Sequence, residues 1–316
     1  MTSPQRQPSG ERGLNWALLL LAMAASVWLA RRAKPQLPEA ASARELLAAV
    51  PAGPGLLITV EVGALSPGVA LELLKTGGGA LLGLREVCGF EPLLALRRVA
   101  FAMPFRAGTA EDNGDFALIA ETSLEPEPVL RCAEAVMRKR GGQPVRSRLG
   151  TFTSVRDRGK PLGEVAIRAD GLFVLSGGQY FRDVVDAANG AVVGDEASRL
   201  RTQLHLGMRR RLEPSQLVAT LLPGASLPLP GVRALGVGLD LQGGDVHLRG
   251  FVGCVSSAAC DDARQLLERV KGDVVRDGGL SGLASLSIEQ REVELDVRAR
   301  LPREQLGPLL TQLLSP

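Results

Sequence analysis

The most uniform stretch of the chain lies near its start. From Leu14 to Ala30 the run LNWALLLLAMAASVWLA carries no charge. Wound at 1.5 Å per residue, its 17 residues span about 26 Å, short but sufficient for a thin bilayer. Trp16 and Trp28 sit near its two ends, where amphipathic rings favour the headgroup level, and Arg31, Arg32 and Lys34 close it. This pattern predicts an uncleaved transmembrane anchor over 14–30, preceded by a disordered tail over 1–13. A cleaved signal peptide is the rival. Cleavage needs small residues at positions −3 and −1, but a cut after Ala30 puts Trp28 at −3 and a cut after Ala33 puts Arg31 there. Ala41-Ser42-Ala43 has the right chemistry, far past the apolar run.

After a Pro-rich spacer over 31–55, holding a small helix at Ser42 to Val50, the periodicity changes to that of an α+β chain. A strand is expected at Leu56 to Val62. Arg98 to Met103 and Asp115 to Glu121 then read as an antiparallel pair, with Phe116, Leu118 and Ala120 on one face. Val129, Ala133, Val136 and Met137 recur at helical spacing from about Glu127 to Arg140, and Gly141-Gly142 stops that helix. Strands at Thr151 to Arg156 and across Glu164 to Leu175, broken at Asp170-Gly171, precede a short helix from Tyr180 to Ala188.

The second half repeats the theme. A strand at Gln216 to Leu222 precedes a hairpin of Arg233 to Leu241 and Asp245 to Cys254. Next come a helix from about Ala258 to Val275, strands at Leu283 to Ile288 and Glu292 to Arg300, and a closing helix near Glu304 to Leu314. In the last strand Val293, Leu295, Val297 and Ala299 alternate with Glu294, Asp296, Arg298 and Arg300, which predicts one buried and one wet face. The expected organisation is therefore a transmembrane helix followed by two similar antiparallel-sheet-plus-helix modules, 56–190 and 213–316, joined by a helical linker over 191–212. Coincidence is the competing explanation, because a hairpin followed by a helix is a common motif.

Composition narrows the function. Hydrophobic residues make up 45% and charged residues 22%, so most of the chain should fold. A net charge of +3 with interspersed signs is too weak a field for nucleic acid. Aromatic residues are only 3%, and both tryptophans lie in the anchor, which leaves almost no platforms for stacking bases. Arg outnumbers Lys by 32 to 5, a bias of GC-rich coding DNA.

The four cysteines, Cys88, Cys132, Cys254 and Cys260, bear on compartment. None has the short paired spacing of a zinc site. Their even number suggests disulfides, with Cys254 bonded to Cys260 across the end of a strand and the start of a helix, and Cys88 bonded to Cys132. Disulfides persist in oxidising compartments. The alternative keeps them as buried thiols packed as small hydrophobes. Arg31, Arg32 and Lys34 outweigh the charges before the anchor, and a plain positive-inside count would leave the following region in the cytoplasm. The cysteines argue for the extracytoplasmic side, and large domains often translocate despite such charges.

No motif of catalysis is present. The two histidines, His205 and His247, sit in no recognisable triad or metal motif, so structural or solvated roles are expected. G-x-S-x-G, H-E-x-x-H and G-x-x-x-x-G-K-[ST] are all absent. Thr76-Gly77-Gly78-Gly79 lacks the lysine and preceding strand of a phosphate loop, and Ser176-Gly177-Gly178 reads as a turn. Glu111, Asp112, Asp115, Glu121, Glu125 and Glu127 form an acidic stretch without the spacing of a calcium loop. Neither metal nor cofactor is expected. The one charged face worth carrying forward is Arg199, Arg201, Arg209, Arg210 and Arg211, a possible contact surface for an acidic partner or anionic headgroups; a solvated helix face is the alternative.

The entry AVPAGPGLLITVEVGAL followed by LREVCGFEPL resembles membrane-anchored proteins of GC-rich bacteria, in which a Pro-rich spacer precedes a first strand and paired α+β modules. The resemblance implies no activity and no site residues. Together these readings lead to an expected membrane-tethered, extracytoplasmic, non-enzymatic binding or assembly module, single-pass in the cell membrane, with a protein partner. The alternative is a hydrolase-like enzyme whose site no motif reveals.

Overall fold

The computed structural model of the chain describes residues 43–64, 86–90, 95–104, 115–159, 163–178, 180–223, 230–241, 245–276 and 284–305. The expected anchor at 14–30, the Gly run at 76–79, Glu111, Asp112 and the closing helix beyond residue 305 lie outside them. Among the described residues no helix is long and apolar enough to cross a membrane.

The strands are β1 (Leu56–Glu61), β2 (Leu96–Met103), β3 (Phe116–Thr122), β4 (Pro144–Leu149), β5 (Phe152–Asp157), β6 (Glu164–Arg168), β7 (Leu172–Gly177), β8 (Leu217–Leu221), β9 (Val232–Asp240), β10 (Asp245–Cys254), β11 (Ser287–Arg291) and β12 (Glu294–Pro302). They form one twelve-stranded sheet in the order β11-β12-β10-β9-β8-β1-β2-β3-β7-β6-β5-β4, and every pairing is antiparallel. The helices are α1 (Ala43–Ala48), α2 (Pro126–Lys139), α3 (Tyr180–Ala188), α4 (Glu196–Arg211) and α5 (Ser257–Arg276).

Helices cover both sheet faces. One face packs α2 through Val129 and Leu130 against Val155 and Ile167, and packs α5 through Cys260, Ala263 and Leu267 against Val252, Cys254 and Leu295. The other carries α1 and α3, whose Leu46, Tyr180, Phe181 and Val184 bury Leu57, Ile119, Phe152 and Val174. On the same face α4 sets Met208 over Val218. Central position explains why β1, LLITVE, is apolar on both sides instead of alternating.

Local signals fix the helix ends. Pro126 stands in the first turn of α2 with acidic Glu127, and Arg138 and Lys139 occupy its last turn, a distribution that suits the macrodipole. Gly141 at φ +78° then ends it. Asp195 caps α4 by accepting a 2.8 Å bond from the Ser198 N–H.

The expectation of two modules is corrected at the level of the sheet. The halves share one continuous sheet through the β1/β8 pair instead of folding on separate sheets. Outward from that seam the orders are β1-β2-β3-β7-β6 and β8-β9-β10-β12-β11, with β5 and β4 extending the first side only. Within the expected helical linker over 191–212, Glu196–Arg211 form α4, which lies on the sheet across the seam. Two strand assignments also change. Pro144–Leu149 is a strand where none was expected, and the strand placed at Leu283 to Ile288 begins at Ser287.

Candidate functional site

Among the described residues, no helix completely covers one face of β10 and β12. His247, Arg249 and Phe251 alternate along β10 on that face. Their register partners on β12 are Arg300, Arg298 and Asp296. On the other side of β10 the partners of Arg249 and Phe251 are Gly238 and Gly236 of β9. These glycines let the end of α4 descend onto the sheet. A Cβ at Gly236 would lie 2.9 Å from the Leu212 Cδ1, and one at Gly238 would lie 2.4 Å from the Ser215 Oγ. The α4 terminus becomes a wall, and beside it opens a groove of about 540 Å³ lined by Arg211, His247, Arg249, Arg298, Arg300 and Ser287. That volume is within the range of small-ligand sites.

The charges in the groove are unevenly answered. Arg211 donates to Glu294 (2.7 Å) and Asp296 (2.8 Å), and its guanidinium stacks 4.2 Å above the Phe251 ring. Partial burial works against its charge, but the two carboxylates outweigh that and raise its pKa. Arg300 donates through Nε to Asp245 at 2.8 Å. Arg249 donates to the Glu213 carbonyl at 3.1 Å, a neutral acceptor that orients the guanidinium without neutralising it. The exposed Arg298 side chain has no hydrogen-bond or ion-pair partner among the described residues. Two arginines facing each other in register therefore stand without a carboxylate.

The five arginines flagged in sequence do not share a face. Arg209 turns inward, donating to Thr59 Oγ1 (3.2 Å), Glu61 (3.3 Å) and Glu213 (2.9 Å). Arg201 donates to the Leu222 carbonyl at 3.2 Å. Arg199 reaches only the Gly194 carbonyl, at 3.4 Å, and Arg210 is exposed. Arg211 alone lines the groove. The rest of the groove was visible in sequence only as the wet face of a strand.

His205 is fully buried. Its Nε2 lies 2.9 Å from the Pro54 carbonyl, which can only accept, so Nε2 carries the proton. Nδ1 then accepts from the Thr220 hydroxyl at 2.7 Å. Burial, opposed by the Pro54 bond and aided by the Arg201 charge, lowers its pKa to about 4. With both nitrogens engaged and no exposure, it cannot pass a proton to an external substrate. Ser154, bonded to Glu164 at 2.6 Å, is likewise sealed. No group of three or more metal-ligating side chains occurs among the described residues. Ser176 and Gly177, expected as a turn, are the last two residues of β7, and Ser176 donates to the Phe116 carbonyl at 2.5 Å.

Both expected disulfides are present. Cys88 bonds to Cys132, with Cα atoms 4.6 Å apart, and Cys254 bonds to Cys260, with Cα atoms 5.5 Å apart. The second pins the end of β10 to the first turn of α5.

No protein-family model matches the chain, and no curated protein matches it. Among solved structures, crystal form III of TP0453 superposes with a TM-score of 0.52 at 10% identity, over 84% of this chain and 97% of that one. Crystal forms I and IV of the same protein give TM-scores of 0.47 and 0.49 at 11% and 12% identity, over 87% and 84% of this chain and 98% and 96% of theirs. At this identity the likeness to form III shows the fold alone: a mixed α+β architecture on one large antiparallel sheet.

Proposed function

We propose that the chain is a membrane-tethered, extracytoplasmic, non-enzymatic binding or assembly module that engages an anionic partner in the β10–β12 groove. One observation carries this reading: Arg249 and Arg298 face each other in register on an open groove and neither is ion-paired among the described residues, the neighbouring groove carboxylate of Asp296 being engaged by Arg211. The uncharged run at 14–30 supports the tether, and two disulfides support an oxidising compartment. A hydrolase draws no comparable support: His205 and Ser154 are closed off from substrate, and in the groove His247 makes no hydrogen bond to Ser287, whose hydroxyl turns to the Arg298 carbonyl at 3.5 Å, among the described residues. We further propose that the halves descend from one duplicated unit. The support is the matching strand order on either side of the seam, with α2 and α5 each leaving the strand third from it.

The test has two arms. An alkaline phosphatase fused after Pro316 should be active; an inactive phosphatase with a fluorescent cytoplasmic reporter at the same point would reverse the sidedness. A partner recovered from detergent-solubilised membranes with the native chain should be lost with the R249E/R298E double variant. Equal recovery would remove the groove from the function.

A further inference from the structure

We propose that Arg249 and Arg298 form a receptor for a single doubly charged phosphoryl group. This inference rests on the binding-module reading and names the chemistry of its ligand. The argument begins with the register. Directly opposed residues on one face of an antiparallel pair have Cβ atoms roughly 5 Å apart, and like charges at such positions destabilise the sheet. The chain places Arg249 against Arg298 and, next along the same two strands, His247 against Arg300. Several other arginines are answered by carboxylates. Arg146 has Glu127 and Glu134, Arg98 has Glu61, and in the groove itself Arg211 and Arg300 have Glu294, Asp296 and Asp245. Arg249 and Arg298 have no ion pair among the described residues, and they stand directly opposite each other in the groove.

The arrangement fits one dianionic centre better than separated charges. A carboxylate offers two oxygens and is satisfied by the fork of one guanidinium; a phosphoryl group offers three and accepts from two guanidinium edges at once. Arg249 is already aimed by the Glu213 carbonyl, and Arg298 is free to complete the clamp. The Ser287 hydroxyl lines the same groove. The Phe251 ring there is covered by Arg211. A soluble phosphate monoester and the monoester headgroup of phosphatidic acid share this chemistry.

The test uses the full-length protein in neutral detergent, titrated with inorganic phosphate and with succinate at constant ionic strength, following thermal shift and calorimetric heat. Phosphate should raise the melting temperature and bind more tightly than succinate. R249Q and R298Q should each weaken phosphate about tenfold or more, as expected for loss of a charge-assisted contact. R140Q, which removes an exposed arginine at the end of α2, should leave binding within about twofold. A second readout separates function from scaffolding. Without phosphate, R298Q should raise the melting temperature, by about 1–2 °C, because it relieves the opposed charges; a lowered one would make Arg298 structural and overturn the receptor. Vesicles of phosphatidic acid in phosphatidylcholine, set against free phosphate as competitor, tell the two sources apart. Succinate or an acidic peptide binding more tightly than phosphate would overturn the phosphoryl assignment while leaving a binding module. No response to any anion would remove both.

Discussion

At the scale of single residues, the buried imidazole of His205 makes stability depend on pH. Its folded pKa is about 4, below the 6.5 of an exposed histidine, so the unfolded chain takes up the proton first. The stabilisation is complete above pH 6.5 and is lost as pH falls towards 4. Over that window it amounts to about 3 kcal/mol. Urea midpoints measured from pH 7 to 4 should fall steeply for the native chain, and more shallowly for His205→Gln, whose residual slope reports the carboxylates. Parallel slopes would mean that His205 charges freely in the fold. Gly171 gives a second prediction. It sits at φ +90°, and a Cβ there would meet the Thr122 carbonyl oxygen at 2.1 Å. The Thr122 N–H donates to the Gly171 carbonyl at 2.9 Å, so the turn cannot swing away without breaking the β3–β7 end. Gly171→Ala should cost about 2–3 kcal/mol in denaturant unfolding; a loss under about 0.5 kcal/mol would show that the turn relaxes.

At the scale of elements, the disulfides tie β10 to α5 and residues 86–90 to α2. On the chain-entropy estimate, a sequence separation of 6 is worth about 2 kcal/mol and one of 44 about 4, less any native strain. Thermal melts should therefore fall further for C88S/C132S than for C254S/C260S. Unreduced protein from its native host should resist alkylation at all four positions; four alkylated thiols would dismiss both bonds there. These bonds were legible in sequence because Cys254 ends an alternating strand and Cys260 opens a helix. The bounds of α3 and β10 were legible too, each from an uninterrupted pattern. β4 was not. No strand was expected there, yet Pro144, Arg146 and Arg148 are the features that guard an edge strand. What holds β4 down is distant in sequence: Arg146 donates to Glu127 of α2 at 2.8 and 3.0 Å and also bonds Glu134. The groove was illegible for a related reason. Alternation marked Arg298 and Arg300 as outward, but strand register, which no local pattern encodes, is what sets Arg298 against Arg249.

At the scale of the molecule, the seam decides whether the halves are separable. β1 and β8 pair from Leu56↔Leu221 to Val60↔Leu217, and two further backbone bonds, Leu222 N–H to the Gly55 carbonyl (2.8 Å) and Glu61 N–H to the Gln216 carbonyl (2.7 Å), extend the zipper. Helix α4 fastens it from above. The Gly53 N–H donates to Thr202 Oγ1 at 3.0 Å, His205 holds the Pro54 carbonyl, and Arg209 reaches Thr59 and Glu61. Cutting the chain after Gly190 would strip β1 of its partner and of this helix. It would leave two new sheet edges, β1 and β8, whose Leu57, Ile58, Val60, Leu217 and Val218 are now buried. Exposed apolar edges of this kind recruit other chains. Fragments 1–190 and 191–316, expressed separately, should aggregate or fail to show a cooperative melt. Expressed together they should associate and recover a transition close to that of the intact chain. Hydrogen exchange in the intact protein should place the β1 and β8 amides among the slowest, opening only with global unfolding. A soluble 191–316 fragment that melts cooperatively by itself would show that the second half is an independent domain and that the seam is merely an interface.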